Sequence, residues 1–299
     1  MTDLLPGFDE RFVEVGGGVS IHVRTAGPSR PGSTPVLLLH GHPQTLSTWH
    51  AVAPALATSR SVVLMDLRGY GASAKPPSPP DHSAYSKRAM ARDAAAVMRS
   101  LGHEDYAVVG HDRGGRVAHR LALDREGHVT RVAVLDIAPT LHMYEHTDMA
   151  FARAYFWWFF LIQPEPLPER MIGADPEFFL RSHLAHQSRT AGVPREEVVA
   201  EYLRHYDPAS VHAICEDYRA AATVDLVHDR ADRDHGRALA VPLLALWGAM
   251  GTVGRLYDVL ETWREVADDV RGRGLACGHL LQEERPEEVV AELRAFLAG

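Results

Sequence analysis

The fold is decided by the stretch Val108-Val109-Gly110-His111-Asp112-Arg113-Gly114-Gly115-Arg116. An apolar run at 106–109 leads into it, and a helical pattern at 113–124 follows at once. A strand that turns directly into a helix, with glycines on both sides of one polar residue, forces that residue into a tight turn and exposes it above the sheet. Asp112 stands in that place. A lone aspartate at a strand end otherwise caps the following helix, and the surrounding glycines favour the first reading.

Outward from this turn, short apolar runs recur at 36–39, 61–65, 132–135 and 242–247. They are apolar at consecutive rather than alternate positions, which predicts parallel strands buried on both faces. Helical patterns at 86–101 and 287–297 lie between and after them. This alternation is the signature of a wound α/β sheet. Alternating stretches at 12–15 and 19–23 predict an antiparallel hairpin turning at Gly16, Gly17 and Gly18. The pattern changes after Pro139, to an aromatic cluster at 155–160, a proline-rich segment at 164–168, then helical stretches rich in His and charge up to about His235. The expected organisation is therefore a core of residues 1–140, a helical cap of 141–235 and a second core part of 236–299. No internal repeat is visible, and the proline-rich piece at 75–80 reads as a surface loop.

A chain of 299 residues can bury a large core and a dry site. With 39 acidic against 31 basic residues and a formal charge of -8, neither nucleic acid nor an anionic membrane is the expected partner. Any bound anion has to be held by a local cluster. Cys215 and Cys277 make neither a disulfide framework nor a metal site. Residues 1–18 carry acids and glycines rather than a basic and then apolar leader, and no stretch is apolar for long enough to span a membrane. A soluble, cytoplasmic protein is expected.

The nucleophile position holds Asp where an esterase has Ser. A carboxylate needs no base to activate it and can displace a leaving group from an sp3 carbon, leaving an alkyl ester. Water must then cleave that ester, which requires a general base and an oxyanion hole. His279 in Gly278-His279 is the candidate base, and Asp136, at the end of the run 132–135, can orient it. With 18 histidines in the chain, an ordinary packing role competes for His279, and helix capping competes for Asp136. The backbone N–H groups of His42 and Arg113 are the candidate oxyanion donors.

These segments together resemble the fluoroacetate, or haloacetate, dehalogenases of the α/β-hydrolase superfamily. The likeness rests on His40-Gly41-His42-Pro43-Gln44-Thr45, Asp66-Leu67-Arg68-Gly69-Tyr70-Gly71 and Gly110-His111-Asp112-Arg113-Gly114-Gly115-Arg116. It continues through Leu135-Asp136-Ile137-Ala138-Pro139-Thr140, Gln163-Pro164, Pro166-Leu167-Pro168-Glu169, Cys215-Glu216-Asp217-Tyr218-Arg219-Ala220 and Gly278-His279. The Asp66 segment is common throughout the superfamily, whereas the turn with its two arginines is specific. The resemblance implies the α/β-hydrolase fold, with a mostly parallel central sheet and an inserted helical cap. It implies that Arg113 and Arg116 hold a substrate carboxylate. Charge-assisted bonds and the positive end of a helix suit that role; the competing reading pairs Arg116 with a surface acid. Related epoxide hydrolases and haloalkane dehalogenases place Trp where Arg113 stands, so this position favours an anionic substrate.

Family members bind the departing halide with a His, a Trp and a Tyr. Here the Trp falls on Trp158, the Tyr on Tyr218, and the His position holds Trp157. Trp157 offers at most one indole donor, which puts fluoride removal in doubt, since small, hard fluoride needs strong donors as it departs. His42 stands where the family usually has Phe, and its imidazole is expected near the substrate. Tyr155, Phe156, Phe159 and Phe160 read as cap packing. Asp225, His228, Asp229, Asp232, Asp234 and His235, interleaved with arginines, read as a solvated connection rather than a metal site. No cofactor is implied. Homodimers are common among proteins resembling this chain, although no interface is legible. The expected reaction converts a short 2-haloacid to a 2-hydroxy acid and halide. One rival is an epoxide hydrolase using Tyr218 with Tyr155, Tyr202 or Tyr206 as ring-opening acids. The other is a non-catalytic receptor for a small acid.

Overall fold

Runs of consecutive apolar residues become strands only where both faces are covered, and the computed structural model places them so. It describes residues 3–29 and 33–298. Met1 and Thr2, the start of the stretch read for a leader, lie outside the described residues. The strands are β1 (Asp9–Glu14), β2 (Ser20–Ala26), β3 (Val36–Leu39), β4 (Val62–Met65), β5 (Asp105–His111), β6 (His128–Leu135), β7 (Leu243–Gly248) and β8 (Val270–Leu275). They form one sheet in the order β1-β2-β4-β3-β5-β6-β7-β8. β1 and β2 are an antiparallel hairpin, β2 meets β4 antiparallel, and every pairing from β4 across to β8 is parallel. Because side chains alternate between faces, Leu37, Leu39, Val63 and Met65 enter one apolar cluster, while Val36, Leu38, Val62 and Leu64 enter the other.

β8 has no counterpart in the sequence reading. Its residues Val270-Arg271-Gly272-Arg273-Gly274-Leu275 lack an apolar run, because it is an edge strand with both arginines exposed. Edge strands carry charge in this way. Gly272 is needed there, since a Cβ would lie 1.8 Å from the Ala245 carbonyl oxygen.

β3 is the point where the strand order reverses, with β4 on one side and β5 on the other. Ligands of open α/β sheets bind outside the carboxyl ends of strands at such a point. The two loops opening there begin at His40 and at Asp112.

Between β6 and β7 the chain forms eight helices and no strand, from Thr140–Glu145 to Val224–Asp234. Two of them bear on the site. The helix Pro176–Gln187 starts at Asp175, whose side chain accepts from the Phe178 N–H at 3.0 Å, and it buries Leu180, His183, Leu184 and Gln187 on one face. The helix Pro208–Ala222 starts at Asp207, which accepts from the Ser210 N–H at 2.8 Å, and buries Asp217 and Tyr218. The expected solvated connection near 225–235 is corrected: Asp225 and Asp232 are buried. Asp225 accepts from the Lys87 N–H at 2.9 Å, and Asp229 and Asp232 pair with Arg120. A buried arginine has to be neutralised, and those acids do it. Among the described residues no helix is long and apolar enough to cross a membrane.

Candidate active site

Asp112 sits between β5 and the helix Arg113–Asp124 with φ +46° and ψ −114°, a strained conformation for any residue but glycine, of the kind that functional turns hold. Its N–H donates to the Leu135 carbonyl at 3.2 Å, which ties the turn to β6. The neighbouring glycines are required by close approach. A Cβ at Gly110 would lie 2.3 Å from the Gly114 carbonyl oxygen, and one at Gly41 would lie 2.4 Å from the Asp112 Cβ.

The two oxygens of Asp112 have different surroundings. Oδ1 accepts from the His42 backbone N–H at 3.0 Å, while Oδ2 lies 3.8 Å from His279 Nε2. His279 Nδ1 is 2.6 Å from Asp136 Oδ2, and Asp136 Oδ1 accepts from the Gly248 N–H at 2.8 Å. Asp136 also has a positive φ, +51°. With Asp136 ionised, the Nδ1 proton faces it, and Nε2 becomes the basic nitrogen turned toward Asp112. Arg113 is the first residue of its helix, so its N–H has no acceptor within that helix. A nucleophilic oxygen, a base oriented by an acid, and N–H donors at the other oxygen can together form and hydrolyse an ester.

Electrostatics favours an ionised Asp112 and a readily protonated His279, while burial raises the Asp136 carboxyl against the pull of His279 and the Gly248 N–H. Burial works to raise the Asp112 pKa, but His279, His111, Arg113 and Arg116 outweigh it and hold the carboxyl well below the usual range. Burial works to lower the His279 pKa, and Asp136 and Asp112 outweigh it, so the imidazole titrates above its ordinary value.

Both arginines are buried beside Asp112. Arg113 gives Nε at 2.9 Å and Nη2 at 2.7 Å to Asp217, a residue of the helix Pro208–Ala222, and its Nη1 has no partner. Arg116 uses Nη1 on the Ala138 carbonyl at 3.1 Å and on Thr140 Oγ1 at 2.8 Å, which leaves Nε unpartnered. No surface acid pairs with it among the described residues. Each guanidinium thus keeps one nitrogen for an anion. Asp217, to which no motif in the sequence assigns a role, also takes Lys87 Nζ and the Tyr70 hydroxyl, the latter at 2.7 Å. Burial opposes ionisation of Asp217, and Arg113 and Lys87 overcome it, holding its pKa well below the usual range.

Aromatic rings close the site. The Arg113 guanidinium lies 4.1 Å from the Tyr218 ring centre and that of Arg116 lies 4.8 Å from Trp158. Trp158 and Tyr218 are 6.5 Å apart. Trp157 is buried against Tyr155 at 5.1 Å and His183 at 4.3 Å. Tyr155, read as packing, is close enough to Asp136 and Asp112 that, after burial, they are the main causes raising its hydroxyl pKa. Tyr202 is removed from the set of ring-opening acids, because its hydroxyl donates to Glu283 at 2.8 Å.

The α/β-hydrolase fold family matches residues 34–286. The chain is 43% identical over 297 residues to a fluoroacetate dehalogenase from Burkholderia sp, covering 99% of this chain and 95% of that one. It is 32% identical to a soluble epoxide hydrolase from Corynebacterium sp. (strain C12), covering 94% of each. A solved structure from Salmonella enterica, provisionally named an acyltransferase, superposes with a TM-score of 0.96 at 52% identity, covering 100% of this chain and 97% of that one. The chain belongs to the α/β-hydrolase superfamily and, within it, to the family of the fluoroacetate dehalogenases.

Proposed function

We propose that this hydrolase removes halide from short 2-haloacids, converting haloacetate and water to glycolate, halide and a proton. The observation that carries the reading is the pair of buried guanidinium groups of Arg113 and Arg116, each with one unpartnered nitrogen, beside the Asp112 carboxylate. Two N–H groups from two arginines clamp the substrate carboxylate and fix the neighbouring carbon against Asp112. Asp112 Oδ2 attacks that carbon in line, the carbon–halogen bond breaks, and halide leaves with the bonding pair. Attack inverts the carbon where it is chiral.

His279 Nε2 then takes a proton from water, and the hydroxide adds to the ester carbonyl carbon of Asp112. The His42 N–H, already on Oδ1, carries the developing oxyanion, with the Arg113 N–H as its partner. Collapse releases the 2-hydroxy acid, reprotonated from His279, and restores the Asp112 carboxylate. Residues 141–235 act as a cap that supplies Trp157, Trp158 and Tyr218. With Trp157 where family members have His at the halide position, chloride and bromide leave faster than fluoride.

Ion chromatography of halide released from fluoroacetate, chloroacetate and bromoacetate, with Asp112→Asn as the blank, tests the reading. Release from chloroacetate or bromoacetate is expected; release from none of the three would overturn it. A second reading, epoxide opening with Tyr218 and Tyr155 as acids, is favoured by the proximity of both to Asp112. Its mark is turnover of neutral epoxides that Arg113→Ala leaves unchanged.

A further inference from the structure

The inserted segment contributes a polar wall to the site that neither the chemistry above nor the arginine clamp uses. His183, on the helix Pro176–Gln187, is 5% exposed and His42 is fully buried. Their rings meet edge to face at 4.7 Å. Both nitrogens of His42 and Nε2 of His183 have no hydrogen-bond partner among the described residues. Gln187, one helical turn beyond His183 on the same face, is buried with Oε1 unpartnered, and its backbone carbonyl accepts from the His279 N–H at 3.0 Å. The wall therefore adjoins the catalytic base. Trp157 packs edge-on against His183 at 4.3 Å, so the tryptophan at the halide position also buttresses this histidine.

Buried polar atoms left without partners are costly, and a group of them beside the reacting groups points to a ligand that satisfies them. The location constrains that ligand. The Tyr218 ring neighbours both features, 4.1 Å from the Arg113 guanidinium and 5.6 Å from the His42 ring. The His42 N–H on Asp112 Oδ1 and the His279 N–H on the Gln187 carbonyl set the wall beside nucleophile and base, so with the carboxylate on the arginines a substituent of the attacked carbon is the part of the substrate left to face it.

We propose that His42, His183 and Gln187 form a second subsite that binds a neutral hydroxyl on the carbon next to the halogen-bearing one, so that the site selects 3-hydroxy-2-haloacids over unsubstituted alkyl ones. This deepens the dehalogenase reading and rests on it for the orientation of the acid. A neutral imidazole offers one donor and one acceptor, which matches a hydroxyl and suits neither a halide nor a second carboxylate as well. Both histidines are held neutral: burial brings His42 down to about 3 and His183 well below its ordinary value.

The test uses an isosteric pair, 2-chloro-3-hydroxypropanoate and 2-chlorobutanoate, which exchange a hydroxyl for a methyl. Their affinities for the non-turning Asp112→Asn protein are measured by calorimetry. The product acids glycerate and 2-hydroxybutanoate are compared on the unaltered protein, which needs no variant. The hydroxyl member of each pair is expected to bind about tenfold more tightly, and His183→Phe in either background is expected to reduce this to less than about threefold. Equal affinities, preference for the methyl acid, a preference that survives both His183→Phe and His42→Phe, or no binding of any of the four acids would overturn the subsite. Chloride release from chloroacetate, run in parallel, reports separately on the dehalogenase reading. If that release stands while the hydroxyl preference is absent, only the subsite falls.

Discussion

Asp112 and Asp136 both have positive φ, so the backbone itself aims the two carboxylates of the site. Asparagine has the shape of aspartate and meets the same backbone strain, and so Asp112→Asn should keep the turn and lose only the chemistry. Turnover is expected to vanish while the melting temperature stays within a few degrees. His279→Asn is expected to stop one step later, with the alkyl ester in place. Intact-mass spectrometry after incubation with bromoacetate should show the added carboxymethyl group on that variant, and an unmodified mass would count against a covalent route. The two steps also separate by pH. In the free enzyme His279 faces two carboxylates, which raise its pKa, and Asp112 is held ionised far into the acid range. Alkylation needs only ionised Asp112, so kcat/KM is expected to stay flat from about pH 8 down to about pH 5. Ester hydrolysis needs neutral His279, so kcat falls with acid. Esterification removes the charge of Asp112, and His279 then releases its proton more readily than in the free enzyme. A kcat/KM that falls together with kcat would contradict this division.

At the scale of elements, the contact nearest the site that ties the core to the inserted segment is Asp217 on Pro208–Ala222, which grips Arg113 and Lys87. Removing one side of a buried, hydrogen-bonded pair typically destabilises by about 3–5 kcal/mol. Asp217→Asn keeps the shape but not the charge, and is expected to lower stability by about 3 kcal/mol in urea unfolding. Because Arg113 loses its fixed orientation, KM for chloroacetate should rise by more than kcat falls; a purely structural role would leave KM alone. Sequence made one half of this contact visible. Arg113 announces itself by following the turn, and the strands that bury both faces appear as apolar runs with bounds close to those observed. Asp217 and His183 do not, because an acid or histidine on a helix reads the same in sequence whether it faces water or a buried site. β8 was invisible for the related reason that an edge strand carries no apolar run. Tyr155 and Tyr202 could be told apart only by packing, since one approaches Asp112 and the other is bound to Glu283.

Across the whole molecule, the segment from Gly278 to Glu284 clamps the sheet to the inserted helices. Glu283 Oε1 accepts from Gln44 at 2.6 Å and Thr48 at 2.8 Å on the β3 side, and from Tyr202 at 2.8 Å on the inserted side. Glu284 Oε2 accepts from the Arg189 N–H at 2.9 Å and from the Gly278 N–H at 3.1 Å. Contacts of this kind make the sheet and the helices unfold together, so a single thermal transition is expected. Its midpoint carries a signature of the clamp. Burial pushes the Glu283 carboxyl up to about 7, against hydrogen bonds from Tyr202, Thr48 and Gln44 that lower it. An unfolded glutamate titrates near 4.3. Between those values the folded state holds a proton that the unfolded state has released, so this carboxyl costs stability progressively as pH rises through the window. Glu283→Gln cannot titrate, yet keeps an oxygen for the same donors. The melting temperature of the variant relative to the unaltered protein is therefore expected to climb between about pH 5 and about pH 8. Asp225, raised to about 6, contributes equally to both proteins and cancels in that difference. A difference that does not change with pH would mean that Glu283 titrates alike folded and unfolded, and that the clamp does not shift its ionisation.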